Sequence, residues 1–258
     1  MKTYIVLRQS PDWENISINK FREQSRRFCE LIGRPTEQIN MYVDLWNKTF
    51  KISFFETRQK IKEITIENLH SIENVEIVNN IDELIPSDIK EGYYIFIDDD
   101  DWLHPQIADL LSEIDNKNMG NGIVWGSVAF GTLNKNIIIR RKLDGYCYTN
   151  NYAIIGNFLK FYLLNNDNKI FQHGKAHNIL VKNGRLIINE YWSITNKNPS
   201  STVYMEQLLK GNLSSELFTE GIINYLSRFK QIDSEIDISL IWAKTMMMKM
   251  EQIFLDLL

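Results

Sequence analysis

The run Gly92-Tyr93-Tyr94-Ile95-Phe96-Ile97-Asp98-Asp99-Asp100-Asp101-Trp102-Leu103-His104-Pro105 decides how the rest of this chain is read. Tyr93 to Ile97 is continuously apolar, which predicts a central strand covered on both faces. Pro105 suits the first turn of a helix, and Ile107, Leu110, Leu111 and Ile114 keep one face of that helix apolar. The four aspartates therefore fall in the turn at the carboxyl end of a central strand. In open α/β sheets that edge is where ligands bind.

Towards the amino end the segments alternate. Tyr4 to Leu7 is a short apolar run with a β-branched centre, read as a buried strand. A helix is expected from Ser17, with Ile18, Phe21, Phe28 and Ile32 on one side and Gly33 then Pro35 stopping it. Ile39 to Val43 reads as a second strand ending at Asp44. Residues 56–70 carry Ile61, Ile64 and Leu69 at helical spacing, and Val75 to Val78 reads as a third strand. This alternation is the signature of an α/β domain with a mainly parallel sheet flanked by helices.

Beyond the aspartates, Ile123 to Phe130 and Ile137 to Ile139 are strand candidates, and 152–164 is apolar enough for a buried helix. Leu186 to Ile188 and Tyr191 to Ile194 read as strands before a polar loop, Thr195-Asn196-Lys197-Asn198-Pro199-Ser200-Ser201. From Ser201 the pattern is helical to the end. The expected organisation is a ligand-binding and catalytic domain over 1–200 and a helical extension over 201–258.

Composition narrows the class. The chain has 258 residues, 44% of them hydrophobic and 24% charged, which excludes wholesale disorder, collagen-like repeats and a disulfide scaffold. A net charge of −4 gives no electrostatic footprint for nucleic acid. Two cysteines, Cys29 and Cys147, lack metal-site spacing and suit a reducing compartment. The start MKTYIVLRQS breaks its apolar run at Arg8, unlike a signal peptide, and no stretch reads as a membrane span. The expectation is a soluble cytoplasmic protein.

Adjacent carboxylates about 5 Å apart repel by roughly 3 kcal/mol per pair at an effective dielectric near 20. Four of them in one turn need a cation, an arginine partner, raised pKa values or free solvent. Carboxylate oxygens are hard ligands suited to Mg2+ or Mn2+, which take one or two protein carboxylates plus substrate phosphates. A divalent ion bridging the turn to a diphosphate relieves the repulsion and activates a leaving group. A solvated acidic loop is the plain alternative, but an apolar strand before the run and Trp102-Leu103 after it bracket it too tightly for that.

The stretch Ile97 to Pro105 resembles the Asp-X-Asp turn of GT-A-fold glycosyltransferases, family 2-like bacterial sugar transferases among them. The resemblance implies a GT-A-type, Rossmann-like mixed sheet. It makes Asp98 and Asp100 the two aspartates of the motif and its metal ligands. Asp99 stands at the variable position and Asp101 is the additional acid, with Asp98, Asp99 and Asp101 meeting the nucleotide-sugar ribose and diphosphate. It also implies Mn2+ or Mg2+ as cofactor, a nucleotide-diphosphate sugar as donor, a glycan or lipid-linked acceptor, and a place in bacterial surface polysaccharide synthesis. Arg8-Gln9-Ser10-Pro11 stands where the family opens with a Pro-Thr-Tyr-Asn-like sequence. Arg8, ending the first strand, is a phosphate-contact candidate or else a surface charge. Asp44, in Val43-Asp44-Leu45-Trp46, is the candidate base contact.

The second half adds weaker signals. His173 and His177 lie four apart, but Gly174 weakens a helix there and no glutamate completes a zincin motif. Many GT-A enzymes bring a late histidine to the metal. His177-Asn178, with Ser193 to Ser200, resembles the late His and Thr-Asn-Lys-x-Pro elements of some bacterial sugar transferases, so His177 rather than His173 is the expected third ligand. His70 reads as surface and His104 as local structure. Asp144 to Tyr152 is dense in aromatic and amide groups able to line a sugar pocket, with a helix cap at Thr149 or Asn150 as a compatible reading. An inverting transferase needs a carboxylate base, and Asp144 and Glu190 are the candidates. Cys147 reads as a packed residue. Leu240, Ala243, Met247, Met250, Phe254 and Leu257 form an apolar stripe, widened by Met246 and Ile253. The stripe suits packing on the main domain, homodimerisation, or peripheral contact with the inner face of a membrane. An aspartate-dependent phosphotransferase or phosphatase, and a non-catalytic cation-binding scaffold, are the competing functions.

Overall fold

Two interleaved sets of side chains on the same strands build the sheet. In the computed structural model, residues 1–8, 12–23, 38–114, 120–131, 139–148, 150–165, 168–171, 173–201, 219–227, 229 and 238–258 are described. The strands are β1 (Thr3–Leu7), β2 (Val75–Val78), β3 (Tyr93–Ile97), β4 (Trp102–Leu103), β5 (Gly122–Gly131), β6 (Ile139–Lys142), β7 (Tyr152–Ile155) and β8 (Leu186–Lys197). The helices are α1 (Gln38–Thr49), α2 (Phe54–His70), α3 (Ile107–Ser112), α4 (Gly156–Asn165), α5 (His173–Asn183) and α6 (Lys244–Leu255), with residues 18–23 and 219–227 also helical. On one side of the sheet Ile5, Leu7, Tyr93, Ile95, Ile97, Ile123 and Trp125 join Leu69 and Ile107. On the other, Tyr4, Val6, Tyr94, Phe96, Val124 and Ile154 join Leu159 and Leu180. Alternate residues thus feed two cores, as a sheet covered on both faces requires.

The strand order is β2-β1-β3-β7-β5-β8-β4, with β6 paired to β5. β2 and β3 flank β1 and both run parallel to it. β7 then runs antiparallel to both β3 and β5, and β4 antiparallel to β8. The class is therefore α/β with a mixed, Rossmann-like sheet. That sheet cannot be flat. Along it β4 lies four strand spacings from β3, about 19 Å at about 4.8 Å each. Ile97 and Trp102 are five residues apart, a reach of at most about 18 Å. The Asp101 N–H donates to the Asp98 carbonyl at 3.3 Å and shortens the link further, so the sheet curls to close the gap.

The chain forms two compact units. The first comprises Met1–Ser10, Thr65–Phe130 and Ile139–Asn196 and holds the sheet; the second comprises Pro11–Ile64, Gly131–Ile138 and Lys197–Leu258. In the second unit Trp13, Phe21, Tyr42, Trp46 and Phe54 form an aromatic cluster with ring centroids 5.4–6.2 Å apart along its edges. Leu240, Ala243, Met246, Met247, Met250, Ile253, Phe254 and Leu257 are all buried, and Phe254 packs edge-on against Tyr225 at 4.8 Å.

Several elements differ from expectation. Ile39 to Val43 is helix, not strand. Tyr42, Val43, Trp46 and Phe50 are buried while Met41, Asp44, Asn47 and Lys48 are exposed, a period near 3.6 that the shorter apolar run conceals. Residues 152–164 are not one helix. Tyr152–Ile155 is a strand, and the chain turns at Gly156, where a Cβ would stand 2.1 Å from the Lys90 carbonyl oxygen. The two strands expected over 186–194 are one continuous strand that takes in Thr195–Lys197. The helix expected from Ser17 begins there, with the Ser17 Oγ accepting the Lys20 N–H at 3.2 Å; Phe28, Ile32, Gly33 and Pro35 lie outside the described residues, as do Cys29 and residues 137–138. Among the described residues no helix is long and apolar enough to cross a membrane.

β4 is held from both sides. Its residues pair with Ile194 and Ser193 of β8. On its other side the buried Asn68 amide of α2 accepts the Leu103 N–H at 2.8 Å and donates to the Leu103 carbonyl at 2.9 Å. Asn68→Leu leaves both backbone groups buried and unpaired, at about 1–3 kcal/mol each. Urea denaturation is expected to show a loss of about 2–6 kcal/mol for Asn68→Leu.

Candidate active site at the aspartate turn

β1 and β3 are neighbours, yet the chain leaves β1 for β2 on its far side and returns to β3 on the near side. Their carboxyl ends are thus a topological switch point, where open α/β sheets bind ligands. Arg8 follows β1 there, and Asp98 to Asp101 follow β3. The Arg8 N–H donates to the Ile97 carbonyl at 2.9 Å, extending the β1–β3 pairing to the start of the aspartates.

The turn has two faces. Asp99 and Asp101 are buried, whereas Asp98 and Asp100 are half-buried. Asp98 meets Arg8, whose Nε donates to Oδ1 at 2.9 Å, and Arg8 Nη1 lies 3.5 Å from the Tyr152 hydroxyl of β7. Arg8 is itself buried, at 9% exposure. Burial works against its charge, but Asp98, Tyr152 and Asp101 together outweigh that and hold its pKa above the ordinary value. The Tyr152 phenol is pushed up, chiefly by burial, and stays protonated. The Asp98–Arg8 pair offsets part of the repulsion that four adjacent carboxylates create.

Asp101 faces inward. Its Oδ1 accepts the backbone N–H of Asn196 on β8 at 2.9 Å, tying the turn to the Thr195-Asn196-Lys197 segment. Behind that contact lies a buried polar network. Thr195 Oγ1 donates to Asn150 Oδ1 at 3.1 Å and stands 3.1 Å from Ser127 Oγ, and Asn150 Nδ2 donates to the Ile194 carbonyl at 2.6 Å. Asn151 donates to the Trp125 and Tyr146 carbonyls at 2.8 and 2.9 Å. Ser127, Asn150, Asn151 and Thr195 thus fix the strands that carry the turn. Ser127 is a support the sequence reading passed over, since one serine inside an apolar strand gives no signal beyond its polarity.

His177 lies on α5, which runs through Gly174 without breaking and begins at His173. Its ring stacks on Tyr146 at 4.1 Å. Its Nδ1 accepts the Cys147 N–H at 3.3 Å and lies 3.2 Å from Arg185 Nη1, which places the ring proton on Nε2. Asp144 is tied into the same loop, accepting the Tyr146 N–H at 3.0 Å and the Tyr148 hydroxyl at 2.7 Å. Gly145 between them has φ +66°, and a Cβ there would meet Ile187 Cδ1 at 2.6 Å. The buried Cys147 thiol is pushed up to about 12, mainly by burial, and is no nucleophile.

The expected ligands do not all converge. Among the described residues no group of three or more His, Cys, Asp or Glu side chains is arranged to hold a metal ion, so Asp98, Asp100 and His177 do not form one set. Two half-buried carboxylates on one turn still fit the demands of Mg2+, which completes its shell with water and phosphate oxygens. Asp44 is exposed on α1 and belongs to the second unit rather than to a strand end. Glu190 lies six residues along β8 from Asn196, about 20 Å at strand rise, where it accepts the Trp192 indole N–H at 3.0 Å. His104 has the local role expected of it, its Nδ1 accepting the Gln106 N–H at 3.1 Å, and His70 is exposed at the end of α2.

Two measurements check this geometry. Asp98→Asn is expected to cost about 2–3 kcal/mol in urea denaturation, because it removes the carboxylate paired with a buried guanidinium, while Asp100→Asn leaves stability within about 0.5 kcal/mol. The second concerns pH. Burial first, then Arg185, holds the His177 pKa below the ordinary 6.5, with Asp144 opposing. The unfolded chain therefore takes up a proton that the folded chain refuses. Stability from this group is complete above about pH 6.5 and falls as pH drops through the lowered value. His104 is also lowered by burial and adds a slope of the same sign. Melting temperatures between pH 7.5 and 5 should fall less in His177→Gln than in the parent chain.

No protein-family model matches this chain, and neither a curated protein nor a solved structure matches it significantly.

Proposed function

We propose that this chain is a glycosyltransferase that moves a sugar from a nucleotide-diphosphate donor to a glycan or lipid-linked acceptor. One observation carries the reading. The aspartate turn stands at the carboxyl ends of β1 and β3, at the switch point of the sheet, with a buried arginine beside it and two of its carboxylates half-buried. The GT-A-like character of Ile97 to Pro105 points the same way.

In this reading Arg8 is the fixed positive charge for the diphosphate, held by Asp98 and Tyr152. Asp98 and Asp100 would hold a magnesium or manganese ion, which offsets charge on the departing diphosphate. Asp101 positions the turn through Asn196. Asp144 and Glu190 are the two candidate bases. Gly145 beside Asp144 lies against Ile187 of β8, three residues from Glu190 on the same strand, so both carboxylates stay candidates. The gain from such a site is positional and electrostatic, since donor and acceptor meet in one geometry with charge stabilisation already in place.

Thermal denaturation with MnCl2, with a panel of nucleoside diphosphates, and with both together tests the reading. The pair is expected to raise the melting temperature by about 5 °C near a hundredfold excess over Kd, more than either alone. Asp100→Asn should abolish the joint effect while keeping the fold. A response to neither ligand identifies a scaffold, and a response to inorganic phosphate equal to that of the nucleotides identifies a phosphate-transfer enzyme.

A further inference from the structure

The apolar stripe that the sequence offers for pairing is buried inside the second unit, so it is closed to a partner. A different line of apolar residues is open. Ile241, Met248 and Leu255 recur every seven residues and are 64%, 60% and 48% exposed, while Met247, Met250 and Phe254 of the same helix are buried. Seven residues is nearly two helical turns, so the three share one line along α6 and the 3-10 helix, Ile238–Ala243, that leads into it. Thr245 and Gln252 fill the steps between them, and both are exposed and uncharged. Single exposed apolar residues are ordinary. Three in register on an uncharged line have the layout of a two-helix seam.

The charges beside the line select its partner. Lys244 and Glu251, seven apart, lie along one flank, and Lys249 and Asp256, also seven apart, lie along the other. A parallel copy sets Lys244 against the partner's Lys249 and Glu251 against the partner's Asp256, so its flanking contacts repel. An antiparallel copy with its two-fold axis at Met248 removes that conflict. Met248 then meets the partner's Met248, and Ile241 meets the partner's Leu255, since both stand seven residues from the axis. On the first flank Lys244 faces the partner's Glu251 to within one residue, and symmetry makes that pair twice. On the second flank Lys249 stands beside the axis and meets the partner's Lys249, a like-charge contact. α6 also carries its charges against its own dipole, with no acid in its first turn and no base in its last. An antiparallel mate sets the opposite pole of a second dipole beside each end.

We infer that this face is an interface with a second copy of the chain, an antiparallel helix pair with its axis at Met248. One helix face buries less than the roughly 1,200 Å2 of a standard interface, so the dimer is weak and concentration-dependent. The apolar line supplies the attraction, and the flanking charges fix orientation and register. A membrane surface fits less well, because two lysines and two acids leave the face no net charge to draw it to anionic lipid. The face belongs to the second unit, and the inference stands apart from the transfer reading.

Sedimentation equilibrium of the full chain, from micromolar to near-millimolar concentration, tests it. The parent should pass from monomer to dimer and go no further, because a two-fold interface is closed. Met248→Glu should weaken the dimer by about tenfold or more, since it sets two carboxylates against each other at the axis. Lys244→Glu should weaken it by about fivefold or more. Adding Glu251→Lys in the same chain should restore it, because the pair is then only reversed. Lys249→Gln should tighten it by about twofold, so two lysines on one face act with opposite sign. Met248, Lys244 and Lys249 are exposed and Glu251 is half-buried, so melting temperatures should hold in every variant. A chain that stays monomeric at every concentration, a dimer indifferent to Met248→Glu, or a dimer that Lys244→Glu tightens, as a parallel pair requires, would each overturn the inference. Binding of a monomeric chain to phosphatidylglycerol vesicles, lost in Met248→Glu, would assign the face to a membrane instead.

Discussion

Four residues between β3 and β4 constrain the sheet more than any other segment. A link that short cannot follow a flat sheet from its interior to its far end, so closing it makes the sheet curl. The curl carries β8 to the aspartates, where the Asn196 N–H meets Asp101. The same four residues to which we assign the proposed chemistry therefore also set the shape around them. Their alternation makes the double duty possible: successive side chains point opposite ways, so Asp99 and Asp101 serve the interior while Asp98 and Asp100 stay accessible.

Around that turn, stability and function make opposing demands. A cluster of like charges is costly, and the chain offsets it with the buried Arg8 guanidinium while Asp98 and Asp100 keep part of their solvent. The side chains of Ser127, Asn150, Asn151 and Thr195 behind the turn bond one another and backbone carbonyls, which ties together the strands around the acidic cluster. In the transferase we propose, such a turn would hold its negative charge in place before any ligand arrives.

Much of this was legible in the residues. The extent of β3 and β2, the position of the aspartates and the buried stripe of the last helix follow from apolar runs and spacing alone. What was not legible depends on longer periods or on tertiary partners. Tyr42 and Val43 look β-like until Trp46 and Phe50 reveal the helical repeat. Tyr152–Ile155 is too short to be told from the start of the helix that follows it. Thr195–Lys197 reads as loop because the buried Thr195 hydroxyl finds its partners in Asn150 and Ser127, residues distant in sequence. Glu190 shares a strand with Asn196, but a strand's rise, invisible in a list of acids, separates them widely.

Asn68 has a consequence beyond the strength of its two hydrogen bonds. β4 ends the strand order, and a terminal strand normally offers unpaired backbone groups to any passing chain. Here the side-chain amide of a helix takes the place of the missing neighbour at Leu103. The sheet is thus closed against intermolecular strand addition at the end nearest its acidic turn. This protection comes from a helix, so it exists only once α2 has docked.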